Sequence, residues 1–164
     1  MKHQPISPTT LDASDMRIGV VTSRYYAEVT TALRNGASDA FRECGGDPDR
    51  LLHIESPGTW ELPVLCSGLL RASETFDAVV AIGCVIAGET SHDRYINRGV
   101  SDALARLAVR TSTPVAFGVL TCSSMEQALA RAGGDVGNKG RESMLAAIDA
   151  AATIRSLDRP EATT

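Results

Sequence analysis

The sequence predicts an α/β fold in which helices cover both faces of a parallel β-sheet. Two observations carry this prediction. Short apolar runs rich in β-branched residues alternate along the chain with longer segments of helical periodicity. One of the short runs, residues 77–86, is apolar almost without interruption, which is typical of a strand covered on both faces. At 164 residues, the chain has the length of one such domain.

Strands and helices are predicted in the order β-α-β-α-β-α-β-α-α. The predicted strands span residues 17–22, 51–55, 77–86 and 114–120, and the predicted helices span residues 29–44, 61–73, 91–110, 124–132 and 139–157. Glycine and proline set the boundaries: Gly45 ends the first helix, and Pro57 ends the second strand. Pro63 is tolerated in the first turn of the second helix. Gly88 separates the third strand from the third helix, and Gly137 breaks the chain before the last helix.

Four parallel strands joined by right-handed crossovers form a three-layer sandwich, so the expected architecture is flavodoxin-like. The domain boundaries follow from composition. Residues 1–15 contain prolines and hydroxyl residues without periodicity and predict a flexible N-terminal arm. Residues 16–157 form the single predicted domain, and residues 158–164 form a C-terminal tail.

The composition excludes several classes of function. A net charge of −4 argues against a nucleic-acid partner. The chain has no apolar run long enough to span a bilayer and no signal-peptide core, which predicts a cytoplasmic protein with no membrane partner. The four cysteines lie far apart in the sequence, without zinc-like spacing, and are typical of small core residues in a reducing compartment. No metal is therefore expected.

Aromatic residues make up only 4% of the chain, so their positions are informative. Ligands of open α/β sheets bind outside the carboxyl ends of the strands. Tyr25, Tyr26, Trp60 and Phe117 are predicted to fall at that edge, whereas Phe41 and Phe76 are assigned to the core. The four rings at one edge suggest a stacking site for a flat ligand. Tyr95 follows closely in the sequence, without an assigned role.

The turn from Gly88 to His92 lies between a buried strand and a helix and predicts an anion site, most simply for phosphate. The alternative is an ordinary N-cap made by a serine or threonine hydroxyl. His92, in the first helical turn, is placed for proton transfer near neutral pH. Arg131 and Lys139 flank a glycine-rich stretch, where they are either part of this site or ordinary surface cations.

Several motifs in this order resemble those of one enzyme family. Residues 57–63 (PGTWELP) are similar to the family pattern PGAFE[IL]P, and residues 83–92 (GCVIAGETSH) are similar to GxVIRGxTxH. The similarity continues through residues 117–121, 126–128, 131–133 and 137–140. On these motifs the chain resembles the 6,7-dimethyl-8-ribityllumazine synthase family, and the resemblance covers residues 17–157.

The resemblance implies a reaction. The family condenses 5-amino-6-(D-ribitylamino)uracil with 3,4-dihydroxy-2-butanone 4-phosphate to give 6,7-dimethyl-8-ribityllumazine, with release of phosphate and water. This transferase reaction is the penultimate step of riboflavin biosynthesis, and it uses neither a metal nor an organic cofactor. The implied substrates are therefore two small molecules, a ribitylaminouracil and a butanone phosphate.

The resemblance also implies residue roles. His92 would be the catalytic residue that moves protons, and Tyr25 would stack on the pyrimidine ring. The other substrate-binding residues would be Thr59, Trp60, Glu61, Cys84, Val85, Ile86, Phe117 and Lys139, and the phosphate-binding residues would be Glu89, Thr90 and Arg131. Of these, Phe117, Arg131 and Lys139 would come from a neighbouring subunit, which would place the active site at a subunit interface.

An assembly is implied as well. Family members form pentamers, and in many bacteria twelve pentamers close into an icosahedral shell. The segment 133–137 is as short as in the shell-forming members, so we expect a 60-mer. Riboflavin synthase is an implied protein partner. The N-terminal arm is expected to pair with a neighbour's sheet edge.

The chain departs from the family pattern at a few positions. Tyr25 and Tyr26 stand where the family usually has Phe-Asn, Ala87 replaces a common Arg or Lys, and Asp93-Arg94 replaces an aromatic-acid pair. Two other interpretations of the sequence exist. One is a shell protein that binds flavins without catalysis. The other is a flavodoxin-like electron carrier, although the first β-α turn lacks that class's phosphate loop.

Overall fold

The computed structural model describes residues 7–157; the start of the predicted arm and the whole predicted tail lie outside the described residues. The strands are β1 (Ile18–Ser23), β2 (Leu51–Ser56), β3 (Ala78–Ile86), β4 (Val115–Cys122), β5 (Ala132–Gly134) and β6 (Gly137–Asn138). The helices are α1 (Ala27–Glu43), α2 (Leu62–Leu70), α3 (His92–Thr111), α4 (Met125–Ala130) and α5 (Lys139–Leu157). The alternation of strands and helices confirms the predicted α/β class.

The main sheet has four parallel strands in the order β2-β1-β3-β4. Ile18 at the start of β1 pairs with Leu51 on one side and with Ala78 on the other, so the three strands begin in register. Every residue of β1 is buried, as are eight of the nine residues of β3. The continuous apolar character of these two strands follows from their place at the centre of a sheet covered on both faces.

Helices form one layer on each face of the sheet. The layer of α1 and α5 encloses a core that includes Ile18, Val20, Leu33, Phe41, Met144 and Ile148. The layer of α2 and α3 encloses a second core that includes Val21, Leu62, Phe76, Val79 and Leu104. Neighbouring residues of a strand face opposite layers, as Val20 and Val21 do. The predicted three-layer sandwich is confirmed, and so is the assignment of Phe41 and Phe76 to the core.

Two glycines and an asparagine allow α1 and α5 to pack closely. A Cβ atom on Gly140 would overlap the carbonyl oxygen of Leu33 and lie 2.6 Å from its carbonyl carbon. Asn138 fills the space beside Gly36. Its amide nitrogen donates to the carbonyl oxygens of Ala32 and Ala132, and its amide oxygen accepts from Arg141 N–H in the first turn of α5.

The predicted boundaries differ from the structure in a few places. Helix α2 ends at Leu70 rather than at residue 73, and β4 continues to Cys122 rather than ending at residue 120. Helix α4 ends at Ala130 because the next residues turn into a small antiparallel hairpin of β5 and β6. The sequence predicted only a break there, since this segment is rich in glycine and carries no apolar period.

Charged side chains join the segment before β1 to the last turns of α5 at the amino ends of the strands. Arg155 donates to the carboxylates of Asp15 and Asp77, each at 2.7 Å, and the other oxygen of Asp77 accepts from Arg17 N–H at 2.7 Å. Within the predicted arm, Ala13 is fully buried and its N–H donates to the Cys44 carbonyl oxygen at 2.8 Å. Packing against the domain therefore begins before the predicted boundary at residue 16.

None of the helices in residues 7–157 combines the length and the apolar character needed to cross a membrane.

Candidate active site

A cleft of about 410 Å³ opens at the carboxyl ends of the strands, between the start of α1, the loop before α2 and the start of α3. Nine of the residues to which the sequence analysis gave a site role line this cleft: Tyr25, Thr59, Trp60, Glu61, Cys84, Val85, Ile86, Thr90 and His92. They come from three separate segments of the chain. The parallel sheet brings these segments together because β1, β2 and β3 all end at this edge.

The loop between β2 and α2 is held against β3 by its own hydroxyl groups. Ser56 Oγ donates to the Gly58 carbonyl oxygen at 2.7 Å, and Thr59 Oγ1 donates to the Cys84 carbonyl oxygen at 3.4 Å. A Cβ atom on Gly83 would lie 2.9 Å from Thr59 Oγ1, so glycine at this position permits the close approach. Thr59 thereby fixes the position of the Trp60 and Glu61 side chains that follow it.

Trp60 forms a wall of the cleft and packs against α3. A Cβ atom on Gly99 would lie 2.6 Å from Cζ3 of the indole, so the ring occupies the space that a side chain would need. The Trp60 side chain is nevertheless 58% exposed. The indole is therefore fixed on one side by a helix and accessible to a ligand elsewhere.

Two tyrosines, Tyr25 and Tyr26, also line the cleft, after the end of β1. The Tyr25 N–H donates to Ser23 Oγ at 3.1 Å. The rings of Tyr25 and Tyr26 meet edge to face, with centroids 5.1 Å apart and planes at 90°. Tyr25 is 64% exposed, and it presents an accessible aromatic ring to the cleft.

The turn from Gly88 to His92 closes the cleft at the start of the 20-residue helix α3. The Ala87 N–H donates to the Cys122 carbonyl oxygen at 2.8 Å and anchors the beginning of this turn. Ser91 occupies the N-cap position but its side chain makes no capping hydrogen bond, so the ordinary serine cap is not formed. The positive end of the helix dipole is directed toward this side of the cleft.

Cys84 contributes its backbone to the cleft, while its side chain faces the core beneath α1 and α5. Burial, together with the nearby Cys122, raises the pKa of the Cys84 thiol to about 12. The thiol is therefore neutral at physiological pH, which excludes a thiolate nucleophile at this position.

Four predicted site residues do not line the cleft. Glu89 belongs to the turn beside Thr90, but it is not part of the cleft wall. Arg131 follows α4, and Lys139 opens α5 with its Nζ 3.2 Å from a carboxylate oxygen of Glu142. Phe117 was expected at the carboxyl edge, and that placement is wrong: it is the third residue of the edge strand β4, pairs with Ala81 of β3 and is 37% exposed.

The charged side chains that line the cleft are Glu61, Asp93 and, when protonated, His92. No arginine or lysine is among the described residues that line it. A phosphate bound here would meet carboxylates and a helix terminus but no permanent cation of the same chain. Within residues 7–157, no group of three or more His, Cys, Asp or Glu residues is arranged to hold a metal ion.

The cleft also contains Tyr26 and Gly88, which belong to the predicted ring cluster and the predicted anion turn, and three residues to which no role was assigned: Gly58, Asp93 and Ile96. Ile96 lies one helical turn after His92, so the i, i+4 spacing along α3 was a usable signal. Asp93 is adjacent to His92 in the sequence, but its direction depends on where α3 begins, and a shift of one residue rotates the side chain by about 100°.

The family model described as 6,7-dimethyl-8-ribityllumazine synthase matches residues 15–155, a range that includes the entire cleft. The chain belongs to the 6,7-dimethyl-8-ribityllumazine synthase family. The family consists of transferases of riboflavin biosynthesis, so the resemblance seen in the sequence is confirmed.

Relatives named 6,7-dimethyl-8-ribityllumazine synthase align with nearly the whole chain. The protein of Streptomyces coelicolor is 43% identical over 91% of this chain and 91% of its own length. The protein of Aquifex aeolicus is 42% identical over 90% of this chain and 95% of its own. The protein of Thermus thermophilus is 38% identical over 97% of this chain and 100% of its own. The similarity to the lumazine synthase family therefore extends over nearly the whole chain.

Proposed function

We propose that the cleft condenses 5-amino-6-(D-ribitylamino)uracil with 3,4-dihydroxy-2-butanone 4-phosphate to give 6,7-dimethyl-8-ribityllumazine, phosphate and water. One observation carries this assignment of substrates to the cleft. Nine residues expected to act on these substrates, drawn from three segments of the chain, line a single cavity of about 410 Å³. A cavity of this size suits a small molecule with one flat ring.

The pyrimidine ring binds between the aromatic walls, where Tyr25 offers an exposed face and Trp60 closes the opposite side. The Glu61 carboxylate accepts hydrogen bonds from ribityl hydroxyl groups, since an ionised carboxylate is an acceptor only. The backbone of residues 84–86 contacts the edge of the pyrimidine ring. Thr59 holds these parts in place through its hydrogen bond to the Cys84 carbonyl oxygen.

The butanone phosphate binds at the start of α3, against backbone N–H groups of Glu89 and Thr90. A phosphate beside Glu61 and Asp93 also needs a cation, and none lines the cleft among the described residues of this chain. Arg131 of a neighbouring subunit supplies that charge in our proposal, and the neighbour's Lys139 and Phe117 complete the wall. The protein therefore acts as a homo-oligomer, a pentamer that assembles further into a 60-mer shell.

His92 moves protons between the substrates. The 5-amino group attacks the butanone carbonyl, and loss of water gives an imine. Removal of a carbon-bound proton then drives elimination of phosphate and leaves an enol, which tautomerises to a ketone. Attack of the ribitylamino nitrogen on this ketone closes the second ring and releases a second water molecule. A neutral imidazole accepts a proton in one step and returns it in another.

We place the protein in the cytoplasm. Riboflavin synthase, the next enzyme of the pathway, is its candidate protein partner.

The test mixes the purified protein with both substrates and follows lumazine absorbance together with phosphate release. We expect turnover well above the spontaneous reaction. A rate equal to the spontaneous one contradicts the proposal. Binding of riboflavin without turnover would instead indicate a flavin-storage protein.

Substitution of Arg131 tests the source of the phosphate contact. Arg131→Ala should raise KM for the butanone phosphate by about 10-fold or more, because a charge-assisted contact to the phosphate is lost. KM for the pyrimidine substrate should stay near its wild-type value. Arg50→Ala is the matched control, since Arg50 is an exposed arginine that directly precedes β2, at the opposite edge of the sheet. Equal kinetics for Arg131→Ala and Arg50→Ala would refute the assignment.

A further inference from the structure

The backbone of Tyr26 has an unusual conformation at the cleft. Its φ and ψ angles are 55° and 54°, in the left-handed region that bulky side chains seldom adopt. Among the described residues, one other non-glycine residue has positive φ, Ser112 with φ 50°. Ser112 ends α3, where a left-handed residue is ordinary. Tyr26 precedes α1, where an N-cap residue is normally extended, so helix capping does not account for its conformation.

The backbone of Tyr26 is hydrogen-bonded to the start of α1. The Tyr26 carbonyl oxygen accepts the N–H groups of Val29 at 2.9 Å and of Thr30 at 3.0 Å. The Tyr26 ring is partly buried and packs against the core beneath α1 and α5. Tyr26 is therefore the anchored member of the tyrosine pair.

Tyr25 is the more exposed member of the pair: it is 64% exposed, and its backbone N–H, not its side chain, donates to Ser23 Oγ. An exposed tyrosine samples several χ1 rotamers unless a neighbour favours one of them. Here the neighbour is Tyr26, whose ring meets that of Tyr25 edge to face at a centroid distance of 5.1 Å. An edge-to-face pair has a preferred orientation, so the anchored ring restricts the exposed one.

We propose that Tyr26 is a positioning residue for the ring substrate: its left-handed backbone and anchored ring hold the Tyr25 ring in the orientation that stacks on the ligand. The inference rests on the proposed function, in which Tyr25 is the stacking residue. In this role Tyr26 affects substrate binding and not the chemical step. Removal of its ring should therefore weaken binding of the ring ligand and leave the rate of the chemical step largely unchanged.

The test compares Tyr26→Leu, which keeps apolar volume but removes the ring, with Tyr26→Phe, which keeps the ring. Tyr26→Leu should raise KM for 5-amino-6-(D-ribitylamino)uracil by about 3- to 10-fold, with kcat within about twofold of wild type, as expected for the loss of one aromatic pair. Tyr26→Phe should bring KM back to within about twofold of wild type. A Tyr26→Leu enzyme with wild-type KM overturns the proposal, and so does a Tyr26→Phe enzyme as impaired as Tyr26→Leu.

Two further variants separate ring positioning from backbone strain and folding. Glycine adopts the left-handed region without strain, so Tyr26→Gly permits the backbone conformation without the ring and should show the same rise in KM. A wild-type KM in Tyr26→Gly would show that the ring is not needed and would overturn the positioning role. Ser112→Gly relieves the other left-handed residue away from the cleft and should leave KM unchanged.

Ligand binding provides a readout that does not depend on turnover. Trp60 is the only tryptophan and lines the cleft, so its fluorescence reports binding of riboflavin as a ring probe. Tyr26→Leu should raise the riboflavin dissociation constant by about the same factor as KM. If the wild-type protein produced no lumazine, the proposed function would fail while this measurement still tested Tyr26. Equal riboflavin affinity in wild type and Tyr26→Leu would refute the positioning role.

Discussion

The side-chain amide of Asn138 connects three parts of the chain. It donates to Ala32 in α1 at 3.0 Å and to Ala132 in β5 at 3.2 Å, and it accepts from Arg141 in α5 at 3.1 Å. The amide is partly buried, so these carbonyl and N–H groups would have few replacement partners if it were removed. A single side chain thus fixes the hairpin and caps α5.

Asn138→Ala should lower the free energy of unfolding by about 2–3 kcal/mol, since it leaves several polar backbone groups unsatisfied. Urea denaturation followed by circular dichroism measures the change. Asn35→Ala is the control: Asn35 is an exposed residue within α1, where alanine is the better helix former, so stability should hold or rise slightly. Equal stability of the two variants would contradict the role given to Asn138.

At the scale of elements, the contact between α1 and α5 depends on the absence of a side chain at Gly140. The Leu33 backbone occupies the position that a Cβ would take, and backbone cannot move aside as a flexible side chain can. The two helices must separate if any other residue stands there. By contrast, a Cβ on Gly68 in α2 would meet no atom within 4 Å.

Gly140→Ala should therefore lower the free energy of unfolding by about 3 kcal/mol, the upper range for overpacking a tight contact. Gly68→Ala, the same chemical change in an open position, should raise it by about 0.5–1 kcal/mol because alanine favours the helix. Thermal or chemical denaturation of the two variants side by side gives the comparison. Destabilisation of equal size in both would show that helix packing at Gly140 is not the cause.

The elements with a clear apolar pattern could be predicted from the sequence. Strands β1 and β3 lie at the centre of the sheet, where burial on both faces requires continuous apolar residues, and α5 has the predicted bounds. The hairpin of β5 and β6 was not predicted because Gly133, Gly134 and Gly137 have no side chains to show a period. It is held by the tertiary contacts of Asn138, which a local pattern does not contain.

The sequence predicts those residues of the cleft whose position follows from the parallel order of the strands. Residues in the loops that follow the strands, such as Tyr25 or Thr90, come to one edge whenever the strands are parallel. Phe117 lies within the predicted strand 114–120, and the structure likewise places it inside β4 and away from that edge. The left-handed backbone conformation of Tyr26 could not be predicted from the sequence, because it arises where the chain turns into α1.

At the scale of the whole molecule, the proposed site is divided between copies of the chain. His92 lines the cleft, whereas Arg131 lies after α4 and outside the cleft. A head-to-tail interface joins different surfaces of two subunits, so each site in such a ring would combine His92 of one copy with Arg131 of the next. Each substitution would then damage the site from a different subunit.

His92→Ala and Arg131→Ala should therefore complement each other. When the two variants are unfolded, mixed and refolded together, about a quarter of the sites formed at random carry neither substitution. The rate of lumazine formation should exceed the mean of the two variants refolded separately. A mixture whose activity equals that mean would show that both residues serve the same chain's site, or that Arg131 serves none.

The bridge from Arg155 to Asp15 and Asp77 also bears on how the polypeptide could be redesigned. It brings the segment just before β1 next to the last turns of α5 at the amino ends of the strands, at the opposite end of the sheet from the cleft. A short linker could join these two segments, and new termini could be opened at an exposed turn elsewhere. Such a circular permutant would keep the aromatic walls and the start of α3 intact, because the order in which the chain is threaded does not determine their geometry.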